Sequence, residues 1–120
     1  IVCEVVNPDY CVFDGLDKYR IVVIKTSSVA IFTGIKFTRG NAMGVTSKRT
    51  DIGEEGRNGG AIFVSGTVTL NVCKLINNRA ENKGGAIYIN AYQKYGLLYG
   101  LEFDGNECDS SDCGNDAYAE

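Results

Sequence analysis

Five cysteines, fifteen carboxylates and seven tyrosines are the residues of this chain with chemistry to offer, and histidine is absent. Seven residues separate Cys3 from Cys11, and Cys108 and Cys113 bound the short loop CDSSDC. Neither spacing is C-x-x-C, and no His is present to complete a zinc site. Two local disulfides, Cys3 with Cys11 and Cys108 with Cys113, are the better reading, although five cysteines leave the connectivity open. Disulfides imply an oxidising, extracytoplasmic setting. Cys73, in LNVCKL, sits among apolar neighbours and reads as a buried small hydrophobe rather than a reactive thiol.

The carboxylates do not form a catalytic pattern. Glycoside hydrolysis needs two of them at a fixed separation on one face. A polysaccharide lyase needs a base near an acidic cluster that holds Ca²⁺. No Asp-Asp pair falls on a strand-like segment, and no Asp recurs in one column of the repeats described below. The expectation is a chain with no catalytic residues, no metal and no cofactor. The acidic segment Asp104, Glu107, Asp109, Asp112 and Asp116 fits neither an EF-hand loop nor a nonapeptide Ca²⁺ repeat, and reads as a solvated loop. Asn77, Asn78, Asn82 and Asn106 read as turn residues whose amides bond to backbone. Tyr88, Tyr92, Tyr95 and Tyr99 lie within twelve residues. Of these, Tyr92, Tyr95 and Tyr99 are the candidate contacts for a sugar ring or a partner surface, with loop packing as the alternative. Thr67 and Thr69 resemble one rung of a threonine ladder, but no second repeat carries it.

Composition bounds the class. The chain is 44% hydrophobic, enough for a core, with fifteen Gly against one Pro. So much Gly without a collagen period points to many tight backbone corners. The net charge is −3, with Lys and Arg scattered, which argues against nucleic acid and anionic membrane surfaces as partners. No apolar run approaches the roughly 20 residues of a membrane span. The chain begins at Ile1 without a Met, so it is either processed or cut from a larger protein.

The elements that position these residues come from a repeat. NGGAIFV (58–64) and KGGAIYI (83–89) are nearly one phrase, 25 residues apart, and CGNDAY (113–118) is a degenerate third copy. AIFTGIKFTRGNA (30–42), VTLNVCKLINNRA (68–80) and GLLYGLEFDGNEC (96–108) align likewise. In that register Phe32, Leu70 and Leu98 share a column, as do Ile35, Cys73 and Leu101, and Phe37, Leu75 and Phe103. Lys36, Lys74 and Glu102 fall between the apolar columns. Alternation of this kind marks short half-buried strands, and no segment holds helical spacing. Recurrence at about 25 to 38 residues is the signature of a solenoid. Short strands with Gly and Asn corners make it a β-solenoid whose coils lie parallel. VFDGLDKYRIVVI (12–24) reads as an earlier stretch of it, and 41–58 as a loop projecting from one corner.

These motifs resemble a known family. GGAI and F-x-x-N alternate along the passenger domains of the chlamydial polymorphic outer-membrane proteins and related β-helical repeat proteins. GGAI is intact at Gly59–Ile62 and Gly84–Ile87. F-x-x-N is intact at Phe103–Asn106, approximate at Leu75–Asn78, and lost at Phe37–Gly40, where Asn41 comes one residue late. The resemblance covers roughly residues 12 to 118. It implies a right-handed parallel β-helix, exported, acting in adhesion or as a surface scaffold.

The sequence therefore predicts an all-β protein, a right-handed parallel β-helix of about four coils forming a single domain over residues 1–120. The expected role is a non-catalytic structural or adhesive module, extracellular or on the cell surface and not inserted in a membrane. Its partners would be other copies stacking end to end into a fibre, or neighbouring repeats of a longer protein. A carbohydrate-binding module using the tyrosines, or a polysaccharide-active enzyme, is the alternative.

Overall fold

A computed structural model describes residues 1–43, 56–90 and 96–119. Among them the regular structure is entirely β, in fourteen short strands. They are β1 (Val12–Asp14), β2 (Val22–Ile24), β3 (Val29–Thr33), β4 (Lys36–Thr38), β5 (Asn41–Ala42), β6 (Ile62–Val64) and β7 (Thr67–Asn71). There follow β8 (Lys74–Ile76), β9 (Arg79–Ala80), β10 (Ile87–Ile89), β11 (Gly96–Tyr99), β12 (Glu102–Asp104), β13 (Glu107–Cys108) and β14 (Ala117–Ala119). Strands this short cannot bury apolar surface alone. They do so by stacking on the strand one pass earlier and one pass later.

The stacking makes four parallel sheets, ordered β1-β4-β8-β12, β2-β6-β10-β14, β3-β7-β11 and β5-β9-β13. Every pairing between these strands is parallel, and the aligned segments pair in the register that the repeat predicts, while β1 on β4 and β2 on β6 add the first forty residues to the stack. Phe37 lies over Phe13, Leu75 over Phe37, and Phe103 beside Leu75. Phe32, Leu70 and Leu98 form a second column, and Ile62 and Ile87 a third. Parallel strands in stacked sheets, with no helix among the described residues, make the molecule β-solenoid-like. Before β1, Val2 bridges to Thr33, so the first residues already lie along β3.

The core is the stack of inward columns. Phe37, Leu75, Leu70, Val68, Ile62 and Ile87 are fully buried. Phe13, Phe32 and Phe37 meet edge to face with centroids 5.3–6.3 Å apart. Each such side chain contributes about 1.5–3 kcal/mol through removal from water. The outward Lys36 and Lys74 stay beside solvent, and Lys74 bridges Asp9 at 2.9 Å and Glu102 at 3.5 Å. The two disulfides close the ends of this stack. Cys3 is joined to Cys11 and Cys108 to Cys113, while Cys73 is free and buried.

The GGAI phrase splits its two glycines between two physical needs. Gly59, Gly84 and Gly114 hold φ near +66°, a left-handed corner that side chains resist. Gly60 and Gly85 are required by proximity instead. A Cβ on Gly60 would come 2.1 Å from the carbonyl oxygen of Gly85, and one on Gly85 equally close to that of Asn115.

Candidate functional site

The buried polar groups lie in one file along the stack. Asn78 and Asn106 occupy the fourth position of their L-x-x-N and F-x-x-N motifs, each just after a left-handed residue, Asn77 or Gly105. That turn throws the asparagine side chain inward, and both are buried. The Gly40 N–H donates to Asn78 Oδ1 at 2.8 Å, and Asn78 Nδ2 donates to the Phe37 carbonyl at 3.1 Å and to Asn106 Oδ1 at 3.0 Å. One pass later the pattern recurs. The Asn78 N–H donates to Asn106 Oδ1, and Asn106 Nδ2 donates to the Leu75 carbonyl at 2.8 Å and to Asp116 Oδ1 at 3.1 Å. Each rung thus satisfies backbone groups of the pass before it, which buried amides demand. Asn78 and Asn106, expected to bond in their own turns, instead bond across passes.

The lost motif at Phe37–Gly40 has a steric reason. Gly40 stands at the ladder position, where a Cβ would lie 2.4 Å from the Gly60 carbonyl oxygen and 2.9 Å from Asn78 Oδ1. Asn41 is no substitute rung. It donates from Nδ2 to the Asp17 carbonyl and accepts from the Met43 N–H, outside the core.

A second file is aromatic. Phe63, Tyr88 and Tyr118 share a register column, with Phe63 and Tyr88 stacked at 5.1 Å and Tyr88 and Tyr118 at 5.9 Å. The Arg20 guanidinium lies 5.7 Å from the Phe63 ring centre and Lys83 Nζ 4.6 Å from that of Tyr118. Tyr88 is therefore buried packing and not a contact surface. Of the candidate contacts, Tyr99 is 67% exposed at the end of β11, while Tyr92 and Tyr95 lie outside the described residues, as does most of the 41–58 loop. The three are thus not brought together by any described contact.

Arg20 was not singled out by the sequence. Its Nε donates to the Asn58 and Gly59 carbonyls and its Nη2 to those of Gly56 and Asn58, at 2.8–3.1 Å. In later passes, carbonyls at this corner receive N–H groups from the preceding pass, as Lys83 does from Gly59 and Cys113 from Gly84. At the first Gly-Gly corner the Arg20 fork takes that role.

The electrostatics are those of structural pairs. A hydrogen bond from Arg39 holds the Asp14 carboxyl below the usual carboxylate range, helped by the Leu16 N–H. Asp9 is lowered likewise by its bond from Lys74. Both pairs are solvent-exposed and weak. Burial pushes the Cys73 thiol up, away from a reactive thiolate, and its Sγ faces the Phe32 and Asn71 carbonyls. The acidic residues of 102–116 are mostly exposed, and among the described residues no three His, Cys, Asp or Glu side chains are grouped to hold a metal ion.

Residues 73–90 match the family model described as the Chlamydia polymorphic membrane protein repeat. The matched segment contains Leu75-x-x-Asn78 and Gly84-Gly85-Ala86-Ile87, one rung of the asparagine ladder and one glycine corner. No curated protein and no solved structure matches the chain.

Proposed function

We propose that this chain is a non-catalytic structural or adhesive module of a surface protein, folded as a right-handed parallel β-helix of about four coils and exported to an oxidising compartment. The observation that carries this reading is the placement of the matched repeat. It covers β8, β9 and β10 of the stack, and its buried Asn78 is spent on internal hydrogen bonds. The two disulfides support export. The proposed stacking partners, neighbouring repeats or a second copy, would meet the module at its edge strands, β1 and β2 at one end and β12 and β14 at the other.

Labelling of intact, unpermeabilised cells with antibody raised against the module tests the location, and binding of module-coated beads to a cell monolayer tests adhesion. Surface labelling with bead binding above an albumin control is expected. Labelling only after permeabilisation, or beads no stickier than the control, would overturn the corresponding part.

A carbohydrate-binding role is the second reading, favoured by the exposed ring of Tyr99. A glycan array decides it. Binding lost in Tyr99→Ala would support it, and silence across the array would exclude it.

A further inference from the structure

We infer that the outer wall formed by β3, β7 and β11 is a docking surface for an uncharged polysaccharide strand. The inference rests on the carbohydrate-binding reading and gives that reading a site and a ligand class. Three observations carry it.

The first is unspent hydrogen-bonding capacity. In β3 and β7 the buried Phe32, Val68 and Leu70 point inward, so the positions between them point out. Thr33, Thr67, Thr69 and Asn71 are outward and half-buried, and among the described residues none of these side chains makes a hydrogen bond. The ladder is the opposite case, since the Asn78 and Asn106 amides are spent inside the core. Three hydroxyls and an amide thus offer donors and acceptors on a flat grid, about 4.8 Å apart between passes and about 6.6 Å apart along each strand.

The second is the absence of charge. β3, β7 and β11 contain no Lys, Arg, Asp or Glu. The wall of β1, β4, β8 and β12 instead carries Lys36, Lys74 and Glu102 in one column, with Asp14 and Asp104 in the next but one. On the uncharged wall Val29 and Ile31 lie exposed in register with Thr67 and Thr69, and Tyr99 lies exposed in the column of Thr33 and Asn71. A carboxylated or sulfated glycan finds no cation there to pair with. A neutral sugar has hydroxyls for the polar grid and C–H faces for Tyr99 and the aliphatic side chains.

The third is size. Five residues run about 16 Å along the strands and three strands cover about 14 Å across, roughly 220 Å² in all. A stable protein interface takes about 800 Å² from each partner. The wall is too small to hold a second copy or another protein, and long enough for a short run of sugar rings.

Retention of the whole chain on cellulose, chitin and mannan, set beside hyaluronan and heparin, tests the wall. Retention on at least one neutral glycan is expected, and it should persist in high salt because no ion pair is involved. Thr69→Glu plants a carboxylate in the middle of the wall and should weaken retention roughly tenfold or more. Val29→Glu, at a position 69% exposed, should weaken it too without touching the core, and covers the case in which Thr69→Glu does not fold. Val12→Glu, exposed on the charged wall in register with Lys36, should bind as the wild type does. Full retention in both wall variants, or binding confined to hyaluronan and heparin, would overturn the inference while leaving a carbohydrate role elsewhere on the molecule. Silence on every glycan would overturn the inference and the carbohydrate reading together. Self-association in sedimentation velocity that both wall variants abolish would give the wall to a second copy and overturn the inference as well. The bead assay reads adhesion separately from all of these.

Discussion

Asn78→Ala removes the central rung of the ladder and tests whether that file of amides holds the passes together. The substitution deletes the acceptor for the Gly40 N–H and the donor to the Phe37 carbonyl, both in the buried interior, and one of the two donors to Asn106 Oδ1. Two buried backbone groups lose a partner at about 1–3 kcal/mol each, so the expected loss is about 2–6 kcal/mol. A domain of this size has about 5–15 kcal/mol in total. The control is Asn41→Ala, whose side chain also makes two hydrogen bonds but outside the core, at the start of β5, where under about 1 kcal/mol is expected. Urea unfolding followed by circular dichroism reads both, with a lowered midpoint and an unchanged m-value for Asn78→Ala. Asn78→Asp sharpens the test, because at neutral pH its carboxylate would face two acceptors and no longer donate. Protonation restores one donor, so that variant should be most stable in acid and lose stability as pH rises. If Asn78→Ala costs no more than Asn41→Ala, the ladder is not what holds the corner.

Gly85→Ala places a Cβ 2.1 Å from the Asn115 carbonyl oxygen and should lower the melting temperature far more than Gly100→Ala. At Gly100 the nearest neighbours stand 3.6 Å away, and only the left-handed φ costs, about 1–2 kcal/mol. Replacing Cys3 and Cys11 by Ser frees a cross-link spanning eight positions and should cost about 2.5 kcal/mol; the Cys108–Cys113 pair, spanning five, should cost about 2 kcal/mol in denaturant titrations. Asp14 and Asp9 have lowered pKa values, so their pairs stabilise above the ordinary carboxylate range and that contribution is lost as pH falls through the lowered values. Asp14→Asn should accordingly flatten the decline of melting temperature below about pH 4. Cys73 should resist alkylation in the native protein and react once it is unfolded, as mass spectrometry would read.

The columns of the fold were legible because each is written several times. Phe37, Leu75 and Phe103 align by sequence alone, and the strand register follows them residue for residue. The glycine corner was legible for the same reason, down to the degenerate copy in which Tyr118 falls on Tyr88. Features that occur once left no such trace. Arg20 meets carbonyls 36–39 positions away across a corner of variable length, and no spacing rule points to it. Asp116 looked like one more acidic loop residue, because its partner is a buried amide rather than a charge. The asparagines were recognised as backbone-bonding residues, but not that they bond between passes, since turn chemistry alone is satisfied locally. Tyr88 stands among four tyrosines crowded in sequence and was readable either as interior packing or as part of a contact face; the pleat sends it into the Phe63–Tyr118 stack.

Distances between side chains on successive passes test the architecture most directly. In a NOESY spectrum the Leu75 methyl groups should show cross-peaks to the rings of both Phe37 and Phe103, from residues 38 before and 28 after it in the chain. Cross-peaks from Leu75 only to residues near it in sequence would contradict the stacked-coil account.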